Sequence, residues 1–139
     1  MPTIQSYTPT TTPKSWGDEI LVAHVPPDIR GRTHGGYTGK VLKRYADPDH
    51  HRGGLQFHTS KDETFYLWSG EVVVYFVDAT GRLRKYEMSP GESFHVPPGA
   101  IHSVQTLTDS VMFEASSPTF EDQYNIEDQY NIEEAVEWP

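Results

Sequence analysis

A chain of 139 residues suffices for one compact domain, and a hydrophobic share of 35% limits it to a modest core. Its 20 acidic residues outnumber 11 basic ones, for a formal charge of −9, which argues against nucleic acid and anionic membrane surfaces as partners. No cysteine is present, so disulfides and thiolate metal sites are excluded, and any metal must take nitrogen and oxygen donors.

The start, Met1-Pro2-Thr3-Ile4-Gln5-Ser6, lacks the basic-then-apolar pattern of a secretory signal. No apolar run nears the ~20 residues that span a bilayer. The expectation is a soluble cytoplasmic protein. Residues 1–13 are rich in Thr and Pro and open an extended arm that reaches residue 19. Residues 20–23 read as a short strand that Pro26-Pro27 ends, and residues 31–36 as a loop. A strand is expected at 40–45, then a polar turn cluster at 47–54. Further strands are expected at 55–58, 64–68, 71–77, 82–88, 93–96, 101–106 and 111–115. Gly and Pro turns separate them, notably Ala79-Thr80-Gly81 and Ser89-Pro90-Gly91. Short strands at even spacing predict an all-β sandwich or barrel with its core at about residues 38–116. An acidic tail, 117–139, contains a direct repeat: Glu121-Asp122-Gln123-Tyr124-Asn125-Ile126 is followed by the same six residue types from Glu127 to Ile132. Two copies of so short a unit make no solenoid.

Two stretches carry chemistry. In the first, Gln56 and His58 lie two apart on a strand and so face the same way. A turn over 59–62 returns the chain so that Glu63 leads the next strand. In the second, Pro97-Pro98-Gly99 turns His102 onto a third strand. Glu63 precedes the apolar run Thr64-Phe65-Tyr66-Leu67-Trp68. If its carboxylate points inward, it needs a cation or strong hydrogen bonds, because bare burial costs several kcal/mol. Gln56, His58, Glu63 and His102 are thus a candidate metal site of two nitrogen and two oxygen donors.

Together the stretches resemble the paired motifs of the cupin superfamily. The first matches at His58, Glu63 and Gly70, the second at Gly91, Pro97, Gly99 and His102. The chain departs from the pattern at Gln56, where most cupins have histidine, at His50, where glycine is usual, and at Thr106, where asparagine is frequent. A Leu-Gln-x-His run is usual in the C-terminal cupin domain of type II mannose-6-phosphate isomerases. The chain is similar to that domain over roughly residues 14–131, through Trp16-Gly17, Leu55-Gln56-Phe57-His58, Lys61-Asp62-Glu63 and Ile126-Glu127-Asp128-Gln129-Tyr130. The resemblance implies a small double-stranded β-helix, a jelly-roll-like barrel, with a divalent metal ion at Gln56, His58, Glu63 and His102. Zn, Mn, Fe, Co and Ni all accept such a donor set. A homodimer is expected from the resemblance and from the frequency of two-fold oligomers, with the arm and residues 20–23 adding to the partner's sheet.

Lys61, His50 and Arg52 are candidate contacts for an anionic group of a small-molecule substrate. His51 shares the polar loop of His50 and Arg52, His95 alternates with Phe94 and Val96 and faces away from them, and His24 and His34 have no supporting neighbours. Three functions fit: a metal-dependent enzyme of sugars or sugar phosphates resembling an isomerase, an Fe(II)-dependent dioxygenase, and a non-catalytic small-molecule-binding module. No general base is identifiable among the residues read so far, since Glu63 is assigned to the metal.

Overall fold

The structure, a computed structural model, describes residues 3–28, 35–46, 54–119, 123–126 and 130–138. Among them the strands in chain order are β1 (Thr10–Lys14), β2 (Gly17–Val25), β3 (Tyr37–Arg44), β4 (Gln56–His58), β5 (Glu63–Ser69), β6 (Val72–Val77), β7 (Leu83–Met88), β8 (Ser93–Val96), β9 (His102–Thr106), β10 (Ser110–Ser116), β11 (Gln123–Asn125) and β12 (Val136–Glu137). They form two six-stranded sheets, ordered β1-β2-β3-β10-β5-β8 and β11-β4-β9-β6-β7-β12. Every pairing is antiparallel except that of β12 with β7. This is the expected all-β barrel. Among the described residues, no helix is long and apolar enough to cross a membrane.

The sheets close on a core of Leu42, Phe65, Leu67, Val72, Val74, Met88, Val96 and Met112. Strict alternation builds it. On β5, Glu63, Phe65 and Leu67 are buried, while Thr64, Tyr66 and Trp68 are exposed. On β10, Ser110, Met112, Glu114 and Ser116 are buried in the same way. Period-two geometry therefore drags the carboxylates of Glu63 and Glu114 inside with their apolar neighbours.

Both ends of the chain take part in the sheets. β1 pairs with β2, and β2 pairs with β3 of the same chain, so residues 20–23 extend the chain's own sheet rather than a partner's. The tail supplies β11, against β4, and β12, against β7. The repeat takes two unlike forms. Tyr124 of the first copy stacks on Phe57 at 5.2 Å within β11. In the second copy, Asn131 caps a short 3-10 helix, Ile132–Glu134, by accepting the N–H of Glu133 at 3.1 Å. Parts of the expected loops at 31–36 and 47–54, with His34, His50, His51 and Arg52, lie outside the described residues.

Gly70 makes the tight link from β5 to β6. Its φ is +95°, and an added Cβ would lie 2.1 Å from Ser110 Oγ and 2.6 Å from the Asp109 carbonyl. Gly70→Ala should therefore cost about 1–3 kcal/mol of stability through backbone strain and this overlap. Equilibrium urea unfolding measures it; an unchanged midpoint would show that the link relaxes freely.

Candidate functional site

The expected metal-site residues converge. His58 ends β4, Glu63 begins β5, and His102 begins β9 directly opposite Gln56. The available ligand atoms of His58, Glu63 and His102 all lie within 4.8 Å of one another, and all three residues are buried. His58 Nε2 sits 2.9 Å from Glu63 Oε1. The His58 and His102 rings stand 5.6 Å apart. Gln56 and Lys61 line the same cavity, of about 340 Å³.

Backbone contacts fix both histidines. The Gly99 N–H donates to the His58 carbonyl at 2.6 Å, so the turn after β8 is bonded to the strand that carries the first histidine. Gly99 has φ +84°, which a glycine adopts without strain. His102 Nδ1 lies 2.9 Å from the Ala100 carbonyl. A carbonyl only accepts, so Nδ1 carries the proton and Nε2 presents a lone pair. That bond orients an imidazole for metal binding.

The electrostatics match. Burial holds the His102 pKa down, to about 4, so its ring is neutral at pH 7. Burial pushes the Glu63 carboxyl up, to about 7, although Lys61 and Lys40 pull it down. Lys61 Nζ is 3.7 Å from Glu63 and 3.4 Å from Glu114. Burial lowers the Lys61 pKa, but Glu114 and Glu63 outweigh it and the net shift is upward, so the ammonium stays charged. A buried carboxylate beside two imidazoles, with no thiolate available, is a donor set suited to a divalent ion. These residues could hold one.

Sequence reasoning missed much of the cavity wall. Glu114, 6% exposed, accepts from Ser116 Oγ at 2.9 Å and faces Lys61. Lys40 reaches Glu19 at 3.1 Å and Glu114 at 3.9 Å. Arg44 spans the two sheets: its Nε donates to Thr106 Oγ1 at 3.0 Å, and its guanidinium lies 4.6 Å from the Trp16 ring centre. Thr106, one of the departures in the second motif, is thus the partner of a buried arginine. The missed signal was alternation. Met112 is an evident core residue, and Glu114 stands two further along the same strand.

A model of the cupin domain matches residues 46–115. This chain belongs to the cupin family. The cupin is 26% identical over 87 residues to an oxalate decarboxylase of Arthroderma benhamiae, a match covering 55% of the chain and 20% of that protein. The capsular polysaccharide assembling protein CapF of Staphylococcus aureus superposes with a TM-score of 0.66 at 21% identity, over 88% of this chain and 33% of CapF. The chain thus spans a fifth of the first relative and a third of the second. Streptomyces Pac13, a nucleoside dehydratase, superposes with a TM-score of 0.65 at 18% identity, over 90% of this cupin and 92% of Pac13. At these identities the two structural likenesses establish the fold.

The pKa of Glu63 fixes the pH dependence of metal uptake. Below about pH 7 its carboxyl is protonated, and an incoming ion must displace that proton. The affinity for Zn²⁺ should fall about tenfold per pH unit below this point and level off above it. Calorimetry at several pH values, in buffers of different ionisation enthalpy, checks the slope and the proton released. A flat profile from pH 6 to 8 would show that Glu63 is already ionised at pH 6.

Proposed function

We propose that this cupin is a metal-dependent enzyme acting on a sugar or sugar phosphate by non-redox, isomerase-like chemistry. His58, Glu63 and His102 would hold a divalent ion, with Gln56 as a fourth, neutral donor. When bound, such an ion supplies Lewis-acid polarisation of a carbonyl or hydroxyl oxygen.

Glu114 carries this reading. It is a second buried carboxylate on the cavity wall, outside the His58–Glu63–His102 group, and it would serve as the base that Glu63 cannot. Ser116 and Lys61 hold its carboxylate in place. In an aldose–ketose interconversion, Glu114 would take the proton from C2 of the open-chain sugar and return it to C1. A second proton moves in the same sense, from the C2 hydroxyl to the C1 oxygen, so the exchange balances within the substrate and consumes no oxidant. General-base catalysis of this kind contributes typically ~10²–10⁴-fold.

The charge of the cavity supports an anionic substrate. Lys14, Lys40, Arg44 and Lys61 line it against Glu19, Glu63 and Glu114. A divalent ion would add to the positive excess, which a phosphate or carboxylate would neutralise. Lys14 is the cation best placed for that role: Arg44 is committed to Thr106 and Trp16, Lys40 to Glu19, and Lys61 to Glu63 and Glu114. CapF and Pac13, named respectively for a polysaccharide and a nucleoside, both concern sugar-containing molecules. Their likeness favours the sugar reading among cupin chemistries.

Two measurements test the proposal. His58→Ala and His102→Ala should each remove most bound metal from untagged protein, and Gln56→Ala less, because water replaces a neutral amide donor. Zn-loaded protein should isomerise aldose or ketose phosphates without O₂, and Glu114→Gln should lower kcat by roughly 100-fold or more with metal content unchanged. Turnover that requires both Fe(II) and O₂ would replace this reading with the dioxygenase.

A further inference from the structure

A second cavity, of about 560 Å³, lies on the other side of His102. It occupies the seam where edge strand β8 of one sheet faces β6 and β7 of the other. Val74, Phe76, Phe94, Val96 and Ile101 form much of its wall, and the tail contributes Trp138. The Trp138 backbone N–H donates to the Lys85 carbonyl at 2.9 Å. Its indole meets the Phe76 ring edge-on at 5.5 Å and lies 5.2 Å from the Arg84 guanidinium. β12, just before it, adds to β7 in parallel, so the tail runs as a strap along this seam.

We propose that this seam is a binding site for an uncharged, largely apolar small molecule containing a ring, held against Trp138 and separate from the polar cavity. The wall chemistry selects the occupant. A sugar or phosphate placed against Val74, Val96 and Ile101 would lose its hydrogen bonds to water without replacement. Glu92, at the turn before β8, is already engaged: Tyr86 donates its hydroxyl to one carboxylate oxygen, and the Ser89 N–H donates to the other at 2.6 Å. A ring finds Phe76, Phe94 and Trp138 as aromatic partners. The volume falls within the ~300–1,000 Å³ common for small-molecule sites. The two cavities share His102, yet they differ in chemistry, so they take different molecules.

The test is a titration of the full chain with 1-naphthol, followed by proton–nitrogen NMR. Saturable shifts are expected at the Trp138 indole N–H and the amides of Phe76, Phe94 and Ile101, while the Trp16 and Trp68 indole signals stay in place. Trp138→Ala, at a half-exposed position on the strap, should keep the fold and its metal content while weakening 1-naphthol at least tenfold. Any of three results would overturn the proposal: no saturable shift, shifts centred on Trp16 in the polar cavity, or wild-type affinity in Trp138→Ala.

Discussion

A carboxylate that must lie inside a β-barrel organises this molecule. Phe65 and Leu67 cannot be buried on β5 without burying Glu63, because the three share one face of the strand. Glu63 is 3% exposed, and burial drives its carboxyl toward the protonated form. A charge so placed needs partners of opposite sign, or its desolvation outweighs the packing that put it there. Lys61 supplies one cation, 3.7 Å away, but shares it with Glu114. His58 approaches at 2.9 Å, and its ring alone does not complete the compensation. A divalent ion between Glu63, His58 and His102 would do so, and metal affinity would then be a consequence of core packing.

The two halves of the site are joined through backbone. The turn after β8 donates Gly99 N–H to the His58 carbonyl and offers the Ala100 carbonyl to His102 Nδ1. One four-residue turn, Pro97-Pro98-Gly99-Ala100, therefore holds both imidazoles, one through its strand and one through its ring. The sequence spacing between Gly91, Pro97, Gly99 and His102 records this constraint. It is a statement about turn geometry before it is one about chemistry.

That is why the site's centre was legible and its wall was not. Gln56, His58, Glu63, Lys61 and His102 stand in or beside turns with Gly and Pro at fixed offsets, and they meet in one cavity. Lys40, Arg44 and Glu114 stand inside ordinary strands with no turn to mark them. Their inward direction follows from alternation with Leu42 and Met112, but a charged residue in a short strand ordinarily reads as solvent-facing. The ends of the chain were less legible still. Identical residues form a strand at Gln123–Asn125 and a helix cap at Asn131. In the first copy, the edge of β4 and the Phe57 ring supply pairing and stacking to Gln123–Asn125. Local sequence cannot distinguish the copies, because the difference lies in what each one reaches.

Register between β5 and β10 finally decides which chemistry faces which cavity. Glu63 pairs with Ser116, Phe65 with Glu114, and Leu67 with Met112, so polar side chains gather at one end of the pair and apolar ones toward the middle. A slip of one residue would turn Glu114 and Met112 outward and bring Phe113 and Ala115 in, which would remove both the candidate base and part of the core. The irregularity in this pairing falls between Val111 and Met112, where Trp68 is the extra residue, exposed on the outer face. A bulge there adds twist at the far end of the strands and leaves the ladder regular from Met112 to Ser116. The regular stretch is the one that carries Glu63 and Glu114, so the barrel takes its distortion where no functional side chain depends on direction.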